Sequence, residues 1–354
     1  MAEVTAFRRK RIRRAGAEDI QRIASQENYW SSDALRELLR RIETLNNEDP
    51  QQALEACKAV LNLAGRVREI SPNLKALTLA VHGSVLRRTR QLDSALETYE
   101  KALAIDGLGK SGRGDVLARM AVTLVNTGRL QQGLNAVEEA LALVADPVPV
   151  LVVRGWIKMF THPLDEALED FLRVLETAQK GPQLNYSVFW AIINSCSVLS
   201  YETLDAAPGI FERLQQEIDA CRKTLPDGGS NYKKVRRPRL MLSRAEALIM
   251  MRTGREQKAL YPLQRAAEGL KDHHPDDAID AHTDLICLLA RLEMGGEAVS
   301  VARSALELLD HVTYRVPPMG RNALLTVSRK AEISSGEAIE IRMMLRPQER
   351  YASR

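Results

Sequence analysis

The sequence predicts an all-helical array of antiparallel helix pairs. Three observations carry this. A short pattern of small and larger apolar residues, spaced to fall on one helical face, returns along the whole chain. Breaker residues separate the copies. Aromatic residues make up only 5% of the 354 residues, so the core must be aliphatic, and an Ala- and Leu-rich composition leans toward helix.

The recurring face reads Ala53, Cys57, Val60, then Ala95, Tyr99, Ala102, then Gly133, Val137, Ala140. It continues as Ala167, Phe171, Val174, as Ala207, Phe211, Leu214, as Ala259, Leu263, Ala266 and as Ala298, Ala302, Ala305. The eighth copy is Ala338, Arg342, Leu345, where an arginine breaks the apolar pattern. Residues four and three apart share a helical face. The leading small residues are separated by 42, 38, 34, 40, 52, 39 and 40 positions. A further amphipathic helix and a turn precede each copy. The turns carry Asn46-Asn47-Glu48-Asp49-Pro50, Thr127-Gly128-Arg129, Thr161-His162-Pro163, Thr253-Gly254-Arg255 and Gly295-Gly296. Gly and Asn end helices and Pro restarts them in the first turn. One such pair cannot bury its apolar faces alone, so several must stack.

Taken in order, residues 1–16 form a flexible basic tail, and a short helix follows from Ala17 to Ser25. Helix pairs fill the N-terminal region, 17–224. Residues 225–239 are the clearest break, a basic linker with Lys233, Lys234, Arg236, Arg237 and Arg239, and it accounts for the 52-residue spacing. Pairs resume at Leu240 and run to about Asp310 within a C-terminal region, 240–354. Residues 311–318 hold Pro317-Pro318, another break. A last helix opens on Ser334-Ser335-Gly336-Glu337, a capping box, and ends near Pro347.

Leu79, Gly83, Leu86, Ala95, Tyr99 and Ala102 together resemble the tetratricopeptide repeat. So do Leu117, Ala121, Leu124, Gly128, Gly133 and Ala140, and so do Leu151, Gly155, Ala167 and Phe171. That family repeats at about 34 residues. Most spacings here are longer, so the loops between pairs must be extended. The resemblance is strongest over 74–180 and weakens toward both ends. It implies a right-handed superhelical solenoid of about eight units. It also implies that the first helix of each pair lines an inner wall where a partner binds.

On that resemblance the inner positions are Arg87, Arg88, Asn126, Trp156, Met159, Phe160, Phe189, Ile192, Cys196, Arg244, Met251, Arg252 and Arg291. The wall is apolar in the middle and cationic toward both ends. It suits a protein or peptide segment with apolar anchors and acidic flanks. Family members that hold acidic chaperone tails use Lys and Asn at fixed inner positions. The matching places here are Ala80 and Ser84, Ala118 and Val122, Val152 and Trp156. That function is disfavoured.

Other chemistry is thinly represented. Gly107-Leu108-Gly109-Lys110-Ser111 ends like a phosphate-binding loop, but Ala104 stands where its first glycine belongs and a helix precedes it. It reads as a loop between pairs. His273, His274, Asp276, Asp277, Asp280 and His282 could offer metal ligands. The segment starts a helix at Pro275, where the acids that follow favour the dipole, and no metal or other cofactor is expected. Cys57, Cys196, Cys221 and Cys287 form no CxxC pair and sit in helical patterns as small apolar residues. No GxSxG motif occurs. The chain is expected to be non-enzymatic.

Charge is local. Arg8, Arg9, Lys10, Arg11, Arg13 and Arg14 supply six positives, and removing them from the net +4 leaves −2 for the rest. Such a run can contact nucleic acid, and residues 17–44 could be read as a helix-turn-helix with Arg36, Arg40 and Arg41 on its second helix. A nucleic-acid-associated regulator is therefore the alternative to a scaffold. No apolar stretch follows the basic start, so no secretory signal is expected, and no window is long and apolar enough to span a membrane. A cytoplasmic location is expected.

Overall fold

The computed structural model describes residues 12, 15–26, 31–65, 70–179, 181, 184–200, 204, 206–225, 232–272 and 274–309. Among these residues there are fifteen helices and no strand. A short α1 (Ala17–Gln26) precedes seven pairs. They are α2 (Ser32–Glu48) with α3 (Pro50–Ala64), α4 (Pro72–Arg88) with α5 (Leu92–Leu103), and α6 (Lys110–Asn126) with α7 (Leu130–Leu143). Then come α8 (Val148–Thr161) with α9 (Leu164–Thr177), and α10 (Tyr186–Leu199) with α11 (Ile210–Thr224). The last are α12 (Tyr232–Arg252) with α13 (Glu256–Leu270), and α14 (Pro275–Arg291) with α15 (Gly295–Leu309). The chain divides into two compact units, Met1–Val153 and Arg154–Arg354, the boundary falling within α8. No described helix is long and apolar enough to cross a membrane.

Four of the turns inside pairs close the same way. The amides of Gln91, Arg129, Arg255 and Met294 each donate to a carbonyl five residues back, at 2.8–2.9 Å. The residue before each is left-handed: Arg90, Gly128, Gly254 and Glu293. This is the Schellman closure, which satisfies carbonyls left open at a helix end. Between α2 and α3 the chain uses a cap instead. Asp49 accepts from the amides of Gln51 and Gln52 at 3.1 Å, and Pro50 opens the next helix.

The recurring apolar face is the core. The copies starting at Ala53, Ala95, Gly133, Ala167, Ala259 and Ala298 are buried throughout. Two glycines show why a small residue is needed opposite. A β-carbon on Gly83 would come within 2.7 Å of the Tyr99 ring, and one on Gly155 within 2.6 Å of the Phe171 ring. In both pairs the aromatic lies sixteen residues beyond the glycine, so the same lock is built twice.

The fifth copy is a correction. Pro208 and the left-handed Gly209 hold Ala207 outside the helix, and α11 begins at Ile210. Its buried face is Ile210, Leu214, Ile218 and Cys221. The eighth copy, the break at 311–318 and the final capping box lie outside the described residues. The helix expected from Leu240 starts at Tyr232 and carries Pro238 inside it. Buried Val235 and the paired Arg237 tie its first turns to the fold. Near the N-terminus, Ile12 and Ala15 pack into the core of unit one with Ile20, Ile23 and Ala24. Arg41 of α2 donates to the Ala15 carbonyl at 2.7 Å. The six basic residues expected to form a tail lie outside the described residues.

Candidate partner-binding site

Helix α8 has two differently used faces. On one, Arg154 and Lys158 reach Asp170 of α9. Arg154 makes two bonds, Nε to Oδ2 at 2.9 Å and Nη2 to Oδ1 at 2.5 Å, and Lys158 Nζ sits 3.3 Å from Oδ2. Gly155 and Ile157 pack inward beside them. On the other face Trp156, Met159 and Phe160 are half-buried. The Trp156 and Phe160 rings meet edge to face, with centroids 5.1 Å apart and planes at 78°. Spacings of three and four residues put the three side chains on one stripe. The structure brings these three expected positions together.

The other expected positions are placed differently. Phe189, Ile192 and Cys196 of α10 are core, and so are Met251 and Asn126. Phe189 instead holds neighbours in place, with Tyr186 and Trp190 edge-on to it at 6.2 and 5.1 Å. Arg244 is buried, bonded to Asp284 at 2.5 Å and Ser197 at 3.2 Å. Arg252 is half-buried and donates to the Leu204 carbonyl at 3.1 Å. Arg87 and Arg88 are half-buried, and Arg291 is exposed. The cationic end expected in unit two is thus largely turned inward.

Arg244 belongs to a two-rung arrangement. Arg237, seven residues earlier on α12, pairs with Asp277 of α14 through Nε at 2.6 Å and Nη2 at 3.1 Å. Its guanidinium lies 5.1 Å from the centre of the Trp190 ring. Seven residues on from each member stand Ser197, Arg244 and Asp284. Burial pushes the Asp284 carboxyl up, and Arg244 opposes the shift. The matched seven-residue recurrence of Arg, Asp and their α10 neighbours was present in the sequence and is the signal that would have found the rungs.

Unit one carries a polar cluster on its first helices α2, α4 and α6, with one α5 hydroxyl behind it. Arg119 of α6 reaches past α4, donating from Nη1 to Ser84 Oγ at 3.2 Å and from Nη2 to Glu43 Oε1 at 2.5 Å. Ser84 gives its own proton to the Ala80 carbonyl at 3.1 Å. The Tyr99 hydroxyl, 3.1 Å away, therefore donates to it. Asn46 Nδ2 donates to the Ser84 carbonyl at 3.5 Å. Asp115 stands one turn before Arg119. Burial pushes its carboxyl up, Arg119 opposes this and Glu43 adds to it. Sequence reasoning missed this cluster, because Arg119 and Glu43 are 76 residues apart.

Several of the residues singled out in the sequence are buried or bonded within the fold. Burial pushes the thiols of Cys57, Cys196 and Cys287 up to about 12, far from the thiolate a nucleophile needs. Asp277 is held by Arg237, and His282 Nδ1 lies 2.8 Å from the Ala278 carbonyl. In the glycine-rich stretch, Gly109 caps α6 and its amide donates to Asn73 Oδ1 at 2.8 Å.

No family model matches the chain, and no curated protein matches it. Solved structures do. A Rap protein complexed with Competence and Sporulation Factor is similar over 90% of this chain and 88% of its own, at 9% identity and a TM-score of 0.60. The apo form of RapI is similar over 91% and 89%, at 13% identity and a TM-score of 0.51. A tetratricopeptide repeat protein from Parabacteroides merdae is similar over 78% and 93%, at 16% identity and a TM-score of 0.41. The two Rap likenesses are likenesses of fold.

Proposed function

We propose that this protein, whose fold is the tetratricopeptide-like helical repeat, is a non-enzymatic interaction scaffold that captures a protein or peptide partner on its first helices. The observation that carries the reading is the half-buried Trp156–Met159–Phe160 stripe on α8. Large aromatic side chains each bury about 150–250 Å² when covered, and such anchors dominate interface energies. With Arg154 and Lys158 fixing the opposite face to Asp170, the stripe is held in place before a partner arrives. Pre-organisation of this kind lowers the cost of binding. The Rap neighbour, complexed with Competence and Sporulation Factor, supports a capture role for the fold.

The partner we propose supplies apolar anchors to this stripe. Acidic flanks have less support, because Arg244 is held by Asp284 and Arg252 by the Leu204 carbonyl. The proposed place of action is the cytoplasm. An affinity capture from lysate with the intact chain, repeated with Trp156→Ala and with Phe160→Glu, tests the reading. Each variant should keep native helicity and lose the specific partners, Trp156→Ala weakening capture by about 2 kcal/mol or more. Retention of the same partners by both variants would remove α8 from the interface.

A further inference from the structure

Helix α10 opens with aromatic side chains at the surface of unit two. Tyr186, its first residue, is 47% exposed. Trp190, one turn on, is half-buried, and the four-residue spacing puts both rings on one face of the helix. Buried Phe189 meets each of them edge-on, at 6.2 and 5.1 Å. The guanidinium of Arg237, from α12, lies 5.1 Å from the centre of the Trp190 ring. Asp277 of α14 pins that guanidinium with two bonds, at 2.6 and 3.1 Å. Three first helices thus hold a small aromatic shelf with a fixed cation at its side.

The shelf has hydrogen-bond donors to spare. Arg237 spends Nε and Nη2 on Asp277, and its Nη1 makes no hydrogen bond among the described residues. Nor does the indole N–H of Trp190. Neither nitrogen is sealed from solvent. Both groups are donors only. Both oxygens of Asp277 are taken up by Arg237, and the pair adds no net charge. We propose that Tyr186, Trp190 and Arg237 form a docking shelf for a proline-rich peptide segment in the polyproline II conformation. Such a segment has no internal hydrogen bonds, so its carbonyls are free to accept. Proline brings no N–H that would need an acceptor. Its rings pack against aromatic side chains, and its preformed backbone loses little freedom on binding. A helical segment carries carbonyls already bonded within itself and would leave these donors unmet. A carboxylate would meet a guanidinium whose charge Asp277 already balances. This surface goes beyond the α8 reading and does not depend on it.

A fluorescein-labelled octaproline peptide is titrated into the intact chain and followed by anisotropy. Saturable binding is expected, changing less than about twofold between low and high salt because no new charge pair forms. Tyr186→Ala, a change at an exposed ring, should keep the native melting curve and weaken binding about tenfold. Trp190→Phe keeps a ring beside Arg237 but removes the N–H, and should weaken binding about fivefold. Tyr261→Ala removes the other exposed large apolar side chain among the described residues, 69% exposed on α13, and should leave binding unchanged. The proposal is overturned by the absence of saturable binding, by unchanged binding in both Tyr186→Ala and Trp190→Phe, by equal losses in Tyr186→Ala and Tyr261→Ala, or by tighter binding of an octaglutamate peptide. Trp156→Ala separates the two surfaces. It should bind octaproline as the unaltered chain does, whether or not it keeps the lysate partners, so failure of the α8 reading leaves this outcome in place.

Discussion

Arg244 and Asp284 face each other at 2.5 Å with side chains 5% and 9% exposed, so each is the other's replacement for water. Removing one partner of such a pair leaves a buried charge alone and costs about 3–5 kcal/mol, whereas exchanging both for apolar residues is neutral or stabilising by about 1–4 kcal/mol. Asp284→Ala should therefore shift the urea midpoint strongly downward, and Arg244→Met/Asp284→Leu should restore it. If the double variant is as unstable as the single, the pair contributes more than mutual neutralisation. Legibility differed sharply at this scale. Helical spacing alone puts Trp156, Met159 and Phe160 on one stripe, whereas their place on a partner-facing wall rests on the family resemblance. Phe189 and Met251 obey the same spacing, yet they are core, since periodicity names a face and not what covers it. Glu43 and Asn46 share no spacing with Arg119 in the sequence, and only the stacking of α2, α4 and α6 lets Arg119 reach Glu43 and Ser84 while Asn46 reaches the Ser84 carbonyl.

At the scale of the element, the turns decide where helices stop. Gly128 and Gly254 take the left-handed position of the Schellman closure without strain, while Arg90 and Glu293 hold the same position with a side chain. A left-handed conformation costs an L-residue about 1–2 kcal/mol, and glycine removes most of that. Arg90→Gly should therefore raise stability by about 1 kcal/mol in chemical denaturation, although glycine in a right-handed position of the same helix would lower it. A loss of stability in Arg90→Gly would mean that its side chain holds the turn. The helices themselves were legible for the same kind of reason. A small residue followed by larger ones at four and seven is a packing requirement, seen directly where Gly83 and Gly155 leave room for Tyr99 and Phe171. The reading failed at Ala207, where Pro208-Gly209 lets the apolar spacing run on past the true helix start. It also placed the start of α12 too late, because a proline and a cluster of basic residues look like a linker until Arg237 is seen to have Asp277 as its partner.

At the scale of the whole molecule, repeat stacking makes stability local, since each pair depends chiefly on its neighbours. The two units offer matched reporters of this. His82 in unit one is pushed below the ordinary imidazole value of 6.5 by burial and by Lys58. His282 in unit two is pushed below it by burial, which outweighs its bond to Ala278 and the carboxylate of Glu268, with Lys271 adding to the shift. Both are therefore neutral in the fold at pH values where the unfolded chain already binds a proton. The stability tied to each is complete above pH 6.5 and is lost as pH falls from there through the lowered folded value. Amide exchange, corrected for its intrinsic pH dependence, should show protection declining in both units between about pH 7.5 and 5.5. In His282→Gln the decline should flatten in α13 to α15 and persist in α3 to α5, and His82→Gln should show the reverse. A uniform change throughout the chain in either variant would show that the repeats open as one cooperative body rather than neighbour by neighbour.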